Sequence, residues 1–208
     1  MNLERYIRRV AVYALFLAAA VALPALAEDV DCLKCHRALV GKKNIHAAVQ
    51  MGCTACHADL DAGVVPHKVK GKLAKGLAAE PPDLCHRCHD RKMFEGKFRH
   101  APAAAGLCTT CHDPHASEHP GLWRKAGAAL CLDCHSEVAN KPHVLAGFAG
   151  RGHPLGDEQK TAVPQDPLRP GRPFYCGSCH EPHRADHARL TRFDAKSAAG
   201  FCQNCHKM

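Results

Sequence analysis

The sequence predicts a fold of short α-helices and irregular loops, with little or no β-sheet, built around bound groups instead of a core of its own side chains. Two observations predict it. All fourteen cysteines fall within seven copies of one five-residue pattern, Cys-x-x-Cys-His. Phenylalanine, tryptophan and tyrosine make up only 5% of the 208 residues, and no long periodic apolar run follows residue 27 from which a protein core could form.

The pattern occurs at Cys32, Cys35 and His36; at Cys53, Cys56 and His57; at Cys85, Cys88 and His89; and at Cys108, Cys111 and His112. It recurs at Cys131, Cys134 and His135, at Cys176, Cys179 and His180, and at Cys202, Cys205 and His206. This is the attachment chemistry of c-type haem. The two thiols add across the two vinyl groups of one porphyrin, and the adjacent histidine is set against one face of the iron. A structural zinc needs four ligands, usually from two CxxC pairs, and gains nothing from a histidine at the next position. Disulfides within CxxC would close very short loops and stabilise little. Seven covalently attached haem c groups are therefore expected, and the haems form the core. Thioether and iron bonds supply the stapling that the low apolar content cannot, so the chain without haem is expected to be largely unfolded.

At the amino end, Arg5, Arg8 and Arg9 precede the apolar run Val10 to Leu23, and Pro24-Ala25-Leu26-Ala27 ends in a small-residue cleavage pattern. Residues 1–27 are expected to be a cleaved signal peptide, because the run is shorter than the roughly twenty residues of a spanning helix. Export suits the cofactor, which is attached after the chain crosses the inner membrane. Residues 28–208 then form the haem domain, with about 26 residues for each porphyrin. The formal charge of +8 includes no clustered basic stripe with interleaved aromatics, so nucleic-acid binding is excluded. Fourteen haem propionates account for the scattered Lys and Arg as counter-ions.

The chain is internally repeated. Cys108 to His135, CTTCHDPHASEHPGLWRKAGAALCLDCH, aligns with Cys176 to His206, CGSCHEPHRADHARLTRFDAKSAAGFCQNCH, after a three-residue insertion. Each copy has an acidic residue and Pro-His after its first motif, a second His four positions on, a leucine (Leu122, Leu190), and Leu-Cys or Phe-Cys opening the next motif. A longer unit holds a motif, an isolated His, a second motif and then Pro-His. Three such units, at about 32–84, 85–130 and 131–201, are followed by a final haem site at 202–206.

With these residues in view, CTTCHDPHAS and CGSCHEPHRA, each completed by a further CxxCH after a leucine-containing spacer, resemble the doubled-CxxCH multihaem cytochromes c. The resemblance is good over Cys85 to His206 and looser before it, where Ala58 to Val65 separates His57 from Pro66-His67. It implies a multihaem cytochrome c fold and periplasmic electron transfer through closely packed bis-histidine haems.

The motifs supply seven iron ligands, His36, His57, His89, His112, His135, His180 and His206. Ten histidines remain, and the repeat selects seven of them as second ligands: His46, His67, His100, His115, His143, His153 and His183. His115 lies three residues beyond His112, with Pro114 restricting the backbone between them. The porphyrin on His112 stands in the way of its own far face, so His115 is expected to ligate a different haem, and His183 after His180 likewise. His119 and His187 occupy equivalent repeat positions and are the alternatives to His115 and His183. His86, inside a CxxCH loop, is pinned too close to its own haem to serve. Met51, Met93 and Met208 occupy no equivalent positions, so bis-histidine ligation at low potential is expected throughout.

Val69 to Ala79 is expected to be a solvated basic segment, Pro154 to Pro173 an irregular surface excursion, and Gly127 to Cys134 a short helix. The expected function is that of an electron carrier without a catalytic site, relaying single electrons along seven haems to and from redox protein partners in anaerobic respiration or extracellular electron transfer. The alternatives are a multihaem oxidoreductase with one open iron, and a haem subunit of a membrane-associated or outer-membrane conduit.

Overall fold

In the computed structural model, which describes residues 31–139, 165–194 and 196–207, all seven motifs lie on or beside a single helical turn. The spacing dictates this. Positions i, i+3 and i+4 share one face of a helix, so one turn turns both sulfurs and the imidazole to the same side. In each motif the histidine N–H donates to the carbonyl of the first cysteine, at 2.9 Å for His36, His57, His180 and His206, 3.0 Å for His89 and His112, and 3.1 Å for His135. The α-helical turns are Leu33–His36, Asp83–His86, Cys108–Cys111, Gly127–Leu132, Cys176–Cys179 and Ala198–Cys202, while Cys53–Ala55 is a 3₁₀ turn. The helix expected at Gly127 to Cys134 thus ends two residues early. Residues 1–27, His143, His153, the stretch 154–164 and Met208 lie outside the described residues.

Three antiparallel pairs of two-residue strands pin the loops. β1 (Asn44–Ile45) pairs with β5 (Ala116–Ser117), β2 (Leu60–Asp61) with β3 (Lys68–Val69), and β4 (Phe98–Arg99) with β6 (Arg184–Ala185). None is long enough to cover a core. Val69 to Ala79, expected as a solvated segment, contributes a strand residue and a tight turn, and Val69 and Lys70 are indeed exposed.

The polypeptide buries little. Ala116, Phe174, Tyr175 and Ala185 are the buried apolar residues among those described, and no large side chain among them is fully buried. Leu33, Leu39, Ile45, Met51, Val65, Met93 and Leu107 are exposed. Apolar surface left open in this way is in keeping with a fold whose core is its cofactor.

Three turns with consecutive left-handed residues repeat along the chain: Lys75 (φ 60°) with Gly76 (61°), Gly121 (69°) with Leu122 (58°), and Arg189 (57°) with Leu190 (56°). Each is tied to a motif in the same way. Leu122 O accepts from Asp113 N–H and Leu190 O from Glu181 N–H, both at 2.8 Å, and Gly76 O accepts from Asp59 N–H at 3.0 Å. On the far side, Arg124, Arg192 and Ala78 donate to Cys111, Cys179 and Cys56. The repeat seen in the sequence at Cys108 and Cys176 therefore has a third copy at Cys53, masked because 18 residues separate the motif histidine from the turn in place of nine. The insertion holds the β2–β3 hairpin.

The left-handed region costs an L-residue about 1–2 kcal/mol and glycine almost nothing. Arg189→Gly is expected to stabilise the holoprotein by up to about 1 kcal/mol, and Gly121→Ala to destabilise it by about the same. The denaturant midpoint, followed in the haem absorption, measures both.

The described end of the stretch expected to be an irregular surface excursion is irregular and mostly exposed, but it is anchored at one buried residue. Asp166 is 3% exposed and accepts the Leu168 N–H at 2.9 Å and Arg169 Nε at 2.7 Å. Arg169 also donates to Gly177 O at 2.6 Å and lies over the Tyr175 ring at 5.6 Å. This buried ion pair draws 166–169 onto the sixth motif. Tyr175 in turn packs edge-on against Trp123 with ring centres 5.2 Å apart, and its hydroxyl occupies the space that a Cβ at Gly177 would need.

Candidate haem sites

Five pairs of imidazoles face each other among the described residues, and each pair joins one motif histidine to one histidine selected by the repeat. His36 faces His67 with ring centres 5.8 Å apart, His57 faces His115 at 6.1 Å, and His89 faces His46 at 6.1 Å. His112 faces His183 at 5.9 Å, and His135 faces His100 at 6.0 Å. A metal–imidazole nitrogen bond is roughly 2 Å, so two imidazoles on opposite sides of one iron have centres about 6 Å apart. The separation suits one iron with its porphyrin between the rings. No pair lies within a single motif and its own Pro-His: His115 crosses to the second motif and His183 to the fourth. They, and not His119 and His187, face His57 and His112. His119 lines an open cleft of about 170 Å³ with Lys42, Asp113, Ser117, Glu118 and Arg124.

Ring orientation is set from behind. His57 Nδ1 donates to Lys75 O at 2.8 Å, His112 Nδ1 to Gly121 O at 2.7 Å and His180 Nδ1 to Arg189 O at 2.9 Å. The acceptor is the first left-handed residue of each turn, which explains why the strained turn recurs. On the opposite side, His46 Nδ1 donates to Pro114 O at 2.9 Å and His67 Nδ1 to Val64 O at 2.8 Å. Such bonds fix the tautomer and leave Nε2 as the metal-facing atom. Burial pushes His115 and His183 below the ordinary imidazole value, against the opposing influence of Asp113 and Glu181 respectively, and a neutral ring is the ligating form. His86 donates to His89 O at 3.2 Å and packs against Phe94.

The strands join the sites in pairs. His46 N–H donates to His115 O at 2.8 Å beside β1 and β5, and His100 N–H donates to His183 O at 3.0 Å beside β4 and β6. The ring facing the third motif is thereby tied to the ring facing the second, and the ring facing the fifth to the ring facing the fourth. The sulfurs make further links. Cys85 lies near Cys108, and Cys131 near Cys176, which brings motif three beside four and five beside six. Cys179 also interacts with Cys205, bringing motif six beside seven. Each of these sulfurs becomes a thioether when a vinyl group adds. Through strand and sulfur contacts, the motifs from the second onward neighbour one another in sequence order.

One-turn CxxCH platforms aimed at paired imidazoles define a c-type cytochrome of the multihaem class. Residues 100–140 and 167–208 match the doubled CXXCH motif, and residues 39–113 match cytochrome c7 and related cytochrome c. The chain belongs with the doubled-CXXCH multihaem cytochromes, whose common chemistry is electron transfer. No curated protein matches it. Among the described residues no helix is long and apolar enough to cross a membrane.

Proposed function

We propose that the protein is a periplasmic heptahaem cytochrome that passes single electrons along a row of bis-histidine haems between redox protein partners. The five imidazole pairs at 5.8–6.1 Å carry this reading. Haem iron supplies the one-electron couple, and the chain's residues do the rest. Fourteen cysteines would anchor the seven porphyrins, each facing histidine pair would hold one iron and leave no place for substrate, and the strand and sulfur contacts would keep neighbouring sites within tunnelling range.

Two motif histidines, His180 and His206, remain to be matched with His143 and His153. The pairing has a regular step. The isolated His46 faces the third motif and the isolated His100 the fifth, each two motifs beyond the one that precedes it. The same step assigns one of His143 and His153 to His206, and the other is left for His180. Signal-peptide export of residues 28–208 supplies the compartment in which haem is attached.

Low-temperature electron paramagnetic resonance of the ferric holoprotein tests the proposal. Low-spin signals integrating to seven irons, with a mass increment of seven haems, are expected. One high-spin iron per molecule that binds a small anion would replace the carrier by an oxidoreductase with an open site, and a stable complex with outer-membrane proteins would make it a conduit subunit.

A further inference from the structure

Two copies of the repeat place a carboxylate immediately after the motif histidine, and the two side chains go different ways. Asp113 Oδ1 accepts the backbone N–H of His115 at 3.0 Å and stands 3.8 Å from Nδ1 of the same residue. Its Oδ2 receives Lys42 Nζ at 3.2 Å. Glu181 turns instead to Arg192, at 3.1 Å, and His183 meets the edge of Phe94 with ring centres 5.1 Å apart. The ring opposite His57 therefore has a carboxylate 3.8 Å away, whereas the ring opposite His112 packs on Phe94 and feels Glu181 only at longer range.

The remaining pairs complete a ranking. His57 also donates to Lys75 O, so its pair has one ring hydrogen-bonded to a carbonyl and the other beside a carboxylate charge. The pairs His36–His67, His89–His46 and His112–His183 each have one ring backed by a carbonyl. Among the described residues neither Nδ1 of the pair His100–His135 has a hydrogen-bond partner. An acceptor drawing on Nδ1–H makes the imidazole a stronger donor through Nε2, and a nearby negative charge adds to the effect. Both favour ferric over ferrous iron and lower the potential.

We propose that Asp113 is a positioning and tuning residue that makes the iron between His57 and His115 the most reducing of the five described sites, with the iron between His100 and His135 the least. This rests on the bis-histidine relay reading. An electron placed on the second site then moves downhill along the row toward the fifth, so these contacts carry a direction as well as a path. Lys42 moderates the effect, since its ammonium partly neutralises the carboxylate.

The test is a potentiometric titration of the full holoprotein, followed optically and by electron paramagnetic resonance, on wild type, Asp113→Asn and Lys42→Met. The component belonging to the second site is assigned by its loss in His115→Ala. It is expected to titrate at the lowest potential of the five. Asp113→Asn should raise its midpoint and shift its low-spin g-values. Lys42→Met should lower the same midpoint, because it frees the carboxylate's charge, and this variant carries the test if Asp113→Asn does not mature. Glu181→Gln should leave that component in place. Midpoints unmoved in both variants, or moved in the same direction, would overturn the proposal while seven low-spin irons left the relay reading intact. High-spin iron in the wild type would strike the relay reading itself.

Discussion

His115→Ala is expected to convert one low-spin iron in seven to high spin and to leave the other six unchanged. The reason is geometric. His115 is the ring opposite His57, at 6.1 Å, and the other described histidines selected by the repeat each face a different motif. Its loss opens one axial position, and azide or cyanide should then bind at one equivalent. The strand that carries it is held by backbone bonds, including His46 N–H to His115 O at 2.8 Å, which alanine preserves, so the haem pair should remain assembled. His119→Ala serves as the control and should leave the spin state untouched. If the phenotypes were exchanged, the ligand would be His119.

Asp166→Ala is expected to destabilise the holoprotein by about 3–5 kcal/mol, since removing one partner of a buried pair strands the other. The Arg169 side chain, 18% exposed, regains some water, which places the loss toward the lower end. The carboxyl also carries an acid dependence. Burial alone would raise its pKa, but the Leu168 amide, Arg169 and Ser178 together outweigh burial and hold it below the ordinary carboxylate value. A depressed folded-state value contributes stability in full above the unfolded value, near about 4, and that stability is lost as pH falls through the lower folded value. Denaturant midpoints from pH 7 down to pH 2 should therefore fall more steeply for wild type than for Asp166→Asn, while the two should converge at the acid end.

The motif turns were fully legible in the sequence because their spacing alone places cysteine, cysteine and histidine on one face. The ligand candidates came from the repeat, and His115 and His183 were expected to leave their own motifs because Pro114 and Pro182 allow so little reach; in the fold their rings stand opposite His57 and His112. Which motif each would meet was not legible. That is decided by two-residue strands whose partners lie far apart in the chain, such as Asn44 with Ser117, and pairs so short leave no alternation to detect. The left-handed turn was hidden for another reason. Its contribution is a backbone carbonyl, supplied by lysine, glycine and arginine in the three copies, so no residue type marks it. The packing of Asp166 was missed because prolines and glycines nearby spoke for a loop, whereas the deciding contact was a single arginine three residues on.

The crossed pairing also forbids division of the molecule. The spans joined by facing histidines run from 36 to 67, 46 to 89, 57 to 115, 100 to 135 and 112 to 183, and each overlaps the next. Like links of chain mail, they leave no point between residues 36 and 183 where the polypeptide can be cut without parting a pair. The sequence repeats are therefore not modules that could be lifted out intact. The crossed set is complete only when the whole span from residue 36 to residue 183 is present.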